Sequence, residues 1–159
     1  MGVATQSGMD MKKGIIQVLT KRGEEDSYIV YGMAVHAAKK GQKVVMIFFR
    51  SNQYMCEYEK RLEPEIRVFY FTKSQDIANG IHFARKVLST GECDMLILNG
   101  IMDQDNKEET DHCIQTVLEN KQENVTVVIT GTQPQETIQS FSDKVILIHT
   151  LNNTRAELC

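Results

Sequence analysis

The stretch Lys43-Val-Val-Met-Ile-Phe-Phe49 decides the fold class, because every residue after the lysine is apolar. A strand buried on one face alternates apolar and polar residues, whereas an unbroken apolar run indicates burial on both faces. Strands of that kind are typical of parallel sheets that lie between two layers of helices. The preceding segment, Ser27 to Lys40, has apolar residues at helical spacing and stops at Gly41, so a helix leads into this strand.

The same alternation of strands and helices extends along most of the chain. The predicted strands are 15–20, 43–49, 66–71, 94–98, 125–130 and 144–149. The predicted helices are 27–40, 51–62, 74–90, 106–121 and 134–141. Strands that alternate with helices imply crossover connections, and therefore a mainly parallel sheet with helices on both faces. We predict one α/β domain with six strands over residues 14–150, preceded by a leader or expression scar (1–13) and followed by a C-terminal tail (151–159).

Composition excludes several functional classes. With 18 Lys and Arg against 21 Asp and Glu, the net charge is −3, which argues against a general nucleic-acid binder. The longest strongly apolar run has six residues, whereas a transmembrane helix needs about 20. The four cysteines (56, 93, 113 and 159) form no C-x-x-C pair, so we interpret them as free thiols in a reducing compartment. We therefore expect a cytoplasmic protein without nucleic-acid or membrane partners.

The loop between the first strand and the first helix lies at the carboxyl edge of the sheet, where α/β proteins bind ligands. It contains, in order, Thr20, Lys21, Arg22, Gly23, Glu24, Glu25, Asp26 and Ser27. Phosphate-binding loops at this place use several glycines, a lysine, and a Ser or Thr for magnesium. Here one glycine precedes three consecutive carboxylates. At ~5 Å and an effective dielectric constant of ~20, each carboxylate would repel a phosphate charge by roughly 3 kcal/mol.

The order of motifs resembles the P-loop type of ATP:corrinoid (cob(I)alamin) adenosyltransferases. That family reads V-Y-T-G-[DN]-G-K-G-K-T-T after its first strand, where this chain has Val18 to Tyr28. Asp94-Met-Leu-Ile-Leu-Asn99 is similar to the family's D-x-[VL]-[VI]-L-D-E, and Thr126-Val-Val-Ile-Thr-Gly131 to its T-V-[IV]-[IL]-T-G-R. The resemblance covers residues 14–149. It implies a P-loop NTPase-like (RecA-like) fold, a homodimer, and transfer of the 5′-deoxyadenosyl group of ATP to the cobalt of a corrinoid.

The departures from the family pattern fall on the residues that the resemblance would make functional. Asp26 stands where the family has its phosphate-binding lysine, and Glu25 where it has a glycine. The metal-associated Asp-Glu pair is replaced by Asn99-Gly100, and the arginine of T-G-R by Thr132. Only Ser27 is retained, as the hydroxyl that would hold magnesium. The corrinoid-facing G-F-T-W stretch is shortened to Phe71-Thr72-Lys73, and the chain has no Trp.

Three interpretations stay open from these residues, the third being a different enzyme on the same scaffold. In the first, the chain has lost ATP binding and catalysis, binds no cofactor, and acts as a homodimer or through a corrinoid-related or protein partner. In the second, it is an active adenosyltransferase that uses ATP, magnesium and a corrinoid. No catalytic residue is assigned. Besides the loop, the other cleft positions are Arg50, Asn99, Thr130, Gly131 and Thr132. We also expect Asp26 to cap the first helix in place of a phosphate.

Two further groups of residues have structural explanations that we favour. The acidic residues 103, 105, 108, 109 and 111 stand at a predicted helix start, where negative charge suits the helix dipole, so a solvated helix start is preferred to a metal site. The aromatic residues Phe48, Phe49, Tyr54 and Tyr58 flank the end of the second strand. Packing in the core explains them better than stacking on a ligand does.

Overall fold

The computed structural model describes residues 14–20, 26–49, 64–103, 107–131 and 136–147, without the side chains of residues 26–28, 74, 107, 137 and 147. The predicted leader, the predicted helix over 51–62 and the predicted tail lie outside these residues. The strands are β1 (Ile16–Thr20), β2 (Val44–Phe48), β3 (Ile66–Tyr70), β4 (Met95–Asn99), β5 (Thr126–Gly131) and β6 (Lys144–Leu147). The helices are α1 (Asp26–Lys39), α2 (Ile77–Thr90), α3 (Lys107–Glu119) and α4 (Glu136–Phe141).

The six strands form one sheet in the order β3-β2-β4-β5-β1-β6, and every pair of neighbours is parallel. This confirms the predicted α/β class and makes the sheet wholly parallel, where the sequence indicated a mainly parallel one. Because all six strands are parallel, their carboxyl ends lie at the same edge of the sheet. We call this edge the carboxyl edge, and the opposite one the amino edge.

Each face of the sheet carries its own apolar cluster. Successive residues of β2 belong to opposite faces of the sheet. Met46 lies in the cluster under α1, and Ile47 lies in the cluster under α2, α3 and α4. All five residues of β2 are buried, as the unbroken apolar run predicts. Burial of each such side chain contributes roughly 1.5–3 kcal/mol relative to exposure, so the central strands dominate the stability of the fold.

Element boundaries differ from the predicted ones by a few residues, for reasons that the hydrogen bonds show. The predicted helix over 74–90 begins as a 3₁₀ turn (Ser74–Asp76), in which the Asp76 N–H donates to the Lys73 carbonyl, and only then becomes α2. The predicted strand over 94–98 is shifted by one residue, because the Asn99 carbonyl still accepts a bond from the Phe49 N–H at 2.9 Å. Asn99 therefore closes β4 and does not open the following loop.

Candidate functional site at the carboxyl edge

Three adjacent strands bring the described candidate residues together. β4, β5 and β1 are neighbours in the sheet, and they end in Asn99, in Thr130 and Gly131, and in Thr20. The structure thus places four of the sequence-predicted site residues at one edge. The loop residues 21–25, Arg50 and Thr132 lie outside the described residues.

A buried hydrogen-bond chain links β4 to β5 at this edge. The Thr130 hydroxyl donates to Asn99 Oδ1 at 2.5 Å and accepts from the Gly100 N–H at 2.9 Å. The Asn99 residue is 1% exposed and Thr130 is fully buried. Buried polar groups are costly unless they are paired, so this chain of bonds stabilises the point where β4 leaves the sheet. Gly100 follows with φ +80°, a conformation that a residue with a Cβ rarely adopts.

Gly131 allows the turn after β4 to pack closely against β5. A Cβ at Gly131 would lie 2.5 Å from Met102 Cβ and 3.3 Å from Asp103 Oδ1. Both neighbours belong to the 3₁₀ turn Ile101–Asp103. The glycine that ends β5 is therefore explained by this close approach of two segments, independently of any ligand.

Thr20 and Asp26 stand on either side of the acidic loop. Thr20 is buried and is paired in register with Gly131, on the opposite face of the sheet from Thr130. The helix α1 is described from Asp26 onward, so this residue lies at the start of the helix, and capping by its side chain stays a prediction. An acidic residue in the first turn is still favourable, because it interacts with the positive end of the helix dipole.

Asn99 and Gly100, at the end of β4, offer no carboxylate to a magnesium ion. No group of three His, Cys, Asp or Glu residues suited to a metal ion occurs among them. Asn99 offers an uncharged amide, and its oxygen already accepts the Thr130 hydroxyl. Magnesium in nucleotide sites is held through one or two carboxylates together with the substrate phosphates. Asn99 and Gly100 supply no such carboxylate, and the side-chain oxygen of Asn99 is already bonded to Thr130 of the neighbouring strand.

The acidic residues near α3 behave as a helix start. Glu108 and Glu109 lie exposed in the first turn of α3, where their charges suit the helix dipole. Asp111 has one buried carboxylate oxygen without a hydrogen-bond partner among the described residues. The interpretation as a helix start is confirmed for Glu108 and Glu109. Asp103 lies instead in the 3₁₀ turn Ile101–Asp103 after β4, and residue 105 lies outside the described residues.

The aromatic residues at the edge pack mainly in the core. Phe48 is fully buried between Tyr31 of α1, at a centroid distance of 6.1 Å, and Tyr70 of β3, at 5.6 Å. Phe49 is also buried, so core packing is confirmed for these two phenylalanines, while Tyr54 and Tyr58 lie outside the described residues. Sequence reasoning missed Tyr70, which ends an edge strand at the carboxyl edge and is 41% exposed. Tyr70 stands near the carboxyl end of the predicted strand over 66–71, and this position could have identified it from the sequence as a residue of the carboxyl edge.

Of the two described thiols, Cys93 is buried and Cys113 is half-buried. Cys93 and Cys113 are unpaired with any other cysteine. Burial, with a smaller contribution from the charge of Asp94, raises the pKa of the Cys93 thiol to about 12. A thiol with so high a pKa is protonated at neutral pH and is a poor nucleophile. Cys93 is therefore not a candidate for covalent catalysis.

The comparisons with known proteins agree with the class of protein that the sheet defines. The chain is similar to the crystal structure of the KaiC-like protein PH0186 from Pyrococcus horikoshii OT3, with a TM-score of 0.63 and 11% identity. The match covers 87% of this chain and 76% of that one, and at this identity it shows the fold alone. The fold is a single-domain, P-loop NTPase-like α/β fold.

The family follows from the sequence match. The model of the family described as ATP:corrinoid adenosyltransferase BtuR/CobO/CobP matches residues 12–155. The chain belongs to this family, as the motif order predicted. No curated protein matches it. Among the described residues, no helix is long and apolar enough to cross a membrane.

Proposed function

We propose that this member of the corrinoid adenosyltransferase family has lost ATP binding and catalysis, and acts through binding or partnership. One observation carries the proposal. At the end of β4, where the family has its metal-associated acidic pair, Asn99 is tied to Thr130 and is followed by a glycine in a left-handed conformation. The position has become part of the scaffold and offers no charge to a metal.

The sequence of the loop after β1 supports the same conclusion. Glu24, Glu25 and Asp26 add three negative charges where the family has glycine and lysine. Lys21 and Arg22 offset part of this repulsion, but the attraction of the missing lysine is also absent. Both halves of a magnesium–triphosphate site, the cradle for the phosphates and the acidic metal ligand, are therefore altered in one chain.

The second candidate function is that of an active ATP:corrinoid adenosyltransferase. Membership of the family over residues 12–155 favours it, and Ser27 keeps a hydroxyl at the start of α1. In that case the phosphates would have to be held by residues other than those of the family motif. Magnesium, ATP and a corrinoid belong to this candidate only.

Adenosyl transfer to reduced cobalamin tests the proposal. The protein is incubated with MgATP and chemically reduced cob(I)alamin, and formation of the light-sensitive cobalt–carbon bond is followed in the visible spectrum. We expect no product above the rate without protein. Titration with cobalamin alone should also leave its spectrum unchanged, because the stretch Phe71-Thr72-Lys73 lacks the tryptophan of the family motif. Product that accumulates over many turnovers would establish the second candidate instead.

The proposal also includes the oligomeric state of the protein. A homodimer remains part of the proposal, because family interfaces can persist when catalysis is lost. Light scattering at tens of micromolar protein should give the mass of a dimer. The mass of a monomer would remove the dimer from the proposal and leave the loss of ATP binding to be judged separately.

A further inference from the structure

A basic groove lies between α2 and α3, away from the carboxyl edge. It is a cavity of about 280 Å³ lined by His82, Arg85, Lys86, Ser89 and Asn120. The last turns of both helices point towards the amino edge, so Ser89 and Asn120 lie towards the opposite end of the sheet from the Asn99–Thr130 pair. Nothing in the proposed function uses it.

The basic side chains of the groove have no ion-pair partner among the described residues. His82, Arg85 and Lys86 are exposed, and α2 contains no Asp or Glu at all. None of the three forms an ion pair with another described residue, in contrast to Arg67, whose guanidinium lies 3.8 Å from the Glu92 carboxylate. In a chain of net charge −3, this is a local accumulation of the opposite sign.

Helix stability does not account for these side chains. Neither Arg85 nor Lys86 has an acidic residue three or four positions away on α2, the spacing at which an opposite charge would stabilise the helix. The helix dipole favours cations only within the last turn, and the last turn of α2 contains no basic residue. The nearby carbonyl groups are already satisfied, since the Ser89 carbonyl accepts from Gln122 Nε2 and the Thr116 carbonyl accepts from Asn120 Nδ2. The cations are therefore not used to cap the helix ends.

We propose that this groove binds the phosphate group of a small phosphorylated molecule. The charges of Arg85 and Lys86 are adjacent in α2 and line one cavity together with His82, all within a rise of about 6 Å along the helix, so they suit a compact anion. Arg85 can present two parallel N–H donors to phosphate oxygens, and Lys86 adds a second fixed charge. The hydroxyl of Ser89 and the amide of Asn120 provide polar, uncharged walls.

A titration with inorganic pyrophosphate, followed by amide chemical shifts, tests this proposal. We expect saturable shifts centred on residues 82–89 and 120, which weaken when NaCl is raised from about 20 to about 200 mM. The double variant Arg85→Gln/Lys86→Gln should bind about two- to thirtyfold more weakly, as expected for the loss of two exposed charge pairs. Shifts that are absent, or that centre on other residues, would overturn the proposal.

A matched control separates a local site from general electrostatics. The double variant Lys43→Gln/Arg67→Gln removes the same charge from the cavity at the amino edge that Glu65 and Glu92 also line. It should bind pyrophosphate as the unmodified protein does, and equal weakening in both double variants would contradict the proposal. An octaglutamate peptide that binds at residues 82–89 while pyrophosphate does not would also overturn it, in favour of an acidic protein partner. Because the shifts are read residue by residue, failure here is distinguishable from failure of the proposed loss of ATP binding.

Discussion

The interior of the sheet keeps the apolar strands of the fold, whereas the carboxyl edge departs from the residues of the family motifs. In the interior, β2 is buried along its whole length and pairs in parallel with β3 and β4. At the edge, Asn99 bonds to a neighbouring strand and the loop after β1 carries three acidic residues. An interior position accepts any apolar side chain of suitable volume, whereas a phosphate or metal contact needs one chemical group at one place. A binding site can therefore be lost while the fold is retained.

The largest effect is expected from a change in the interior. Phe48→Ala removes a fully buried ring that contacts Tyr31 and Tyr70, and should lower the free energy of unfolding by about 3–5 kcal/mol. Phe141→Ala is the control, because Phe141 is 41% exposed and its truncation should cost about 1 kcal/mol or less. Urea denaturation measures both variants. Equal losses would show that the interior does not dominate stability.

A change at the edge tests whether Asn99 and Thr130 are structural. Thr130→Val deletes the hydroxyl and leaves Asn99 Oδ1 and the Gly100 N–H without this partner, which should cost about 1–3 kcal/mol. Thr126→Val is a matched control on the same face of β5, since its hydroxyl only accepts a bond of 3.3 Å from the Ile15 N–H. Thr130→Ser should recover most of the loss. If both valine variants keep the stability of the unmodified protein, the hydrogen-bond chain does not stabilise the edge.

A smaller effect is expected at the start of α1. Because the helix begins at Asp26, its carboxylate should act through the helix dipole, and Asp26→Ala and Asp26→Asn should each lower the free energy of unfolding by about 0.3–1 kcal/mol. Salt screens this interaction, so both losses should shrink in 1 M NaCl. A variant with asparagine as stable as the unmodified protein would instead support capping by the side chain, as the sequence predicted.

The sequence predicted most of the fold, because apolar periodicity reports directly on burial. The run 43–49 indicated a strand buried on both faces, and β2 is one. The sequence also named Asn99, Thr130 and Gly131 as edge residues, but not the bond between the first two. That bond depends on the register of β4 and β5, which are adjacent in space yet about 30 residues apart in the chain. Periodicity within a single segment carries no information on such pairing.

The basic groove shows the same limit. The residues that line it come from α2 and from Asn120, the residue that follows α3, and only the packing of these helices makes them one surface. From the sequence, His82 could be placed within a helix and no further.

Calorimetric titration with MgATP tests the central claim, that the fold is retained and the nucleotide site is lost, most directly. The account predicts no saturable heat for the unmodified protein at millimolar nucleotide. It predicts none for Asp26→Lys either, because Glu24 and Glu25 remain in the loop. Far-UV circular dichroism and a cooperative urea transition would show that the tested protein is folded. A dissociation constant in the micromolar range for the unmodified protein would contradict the account.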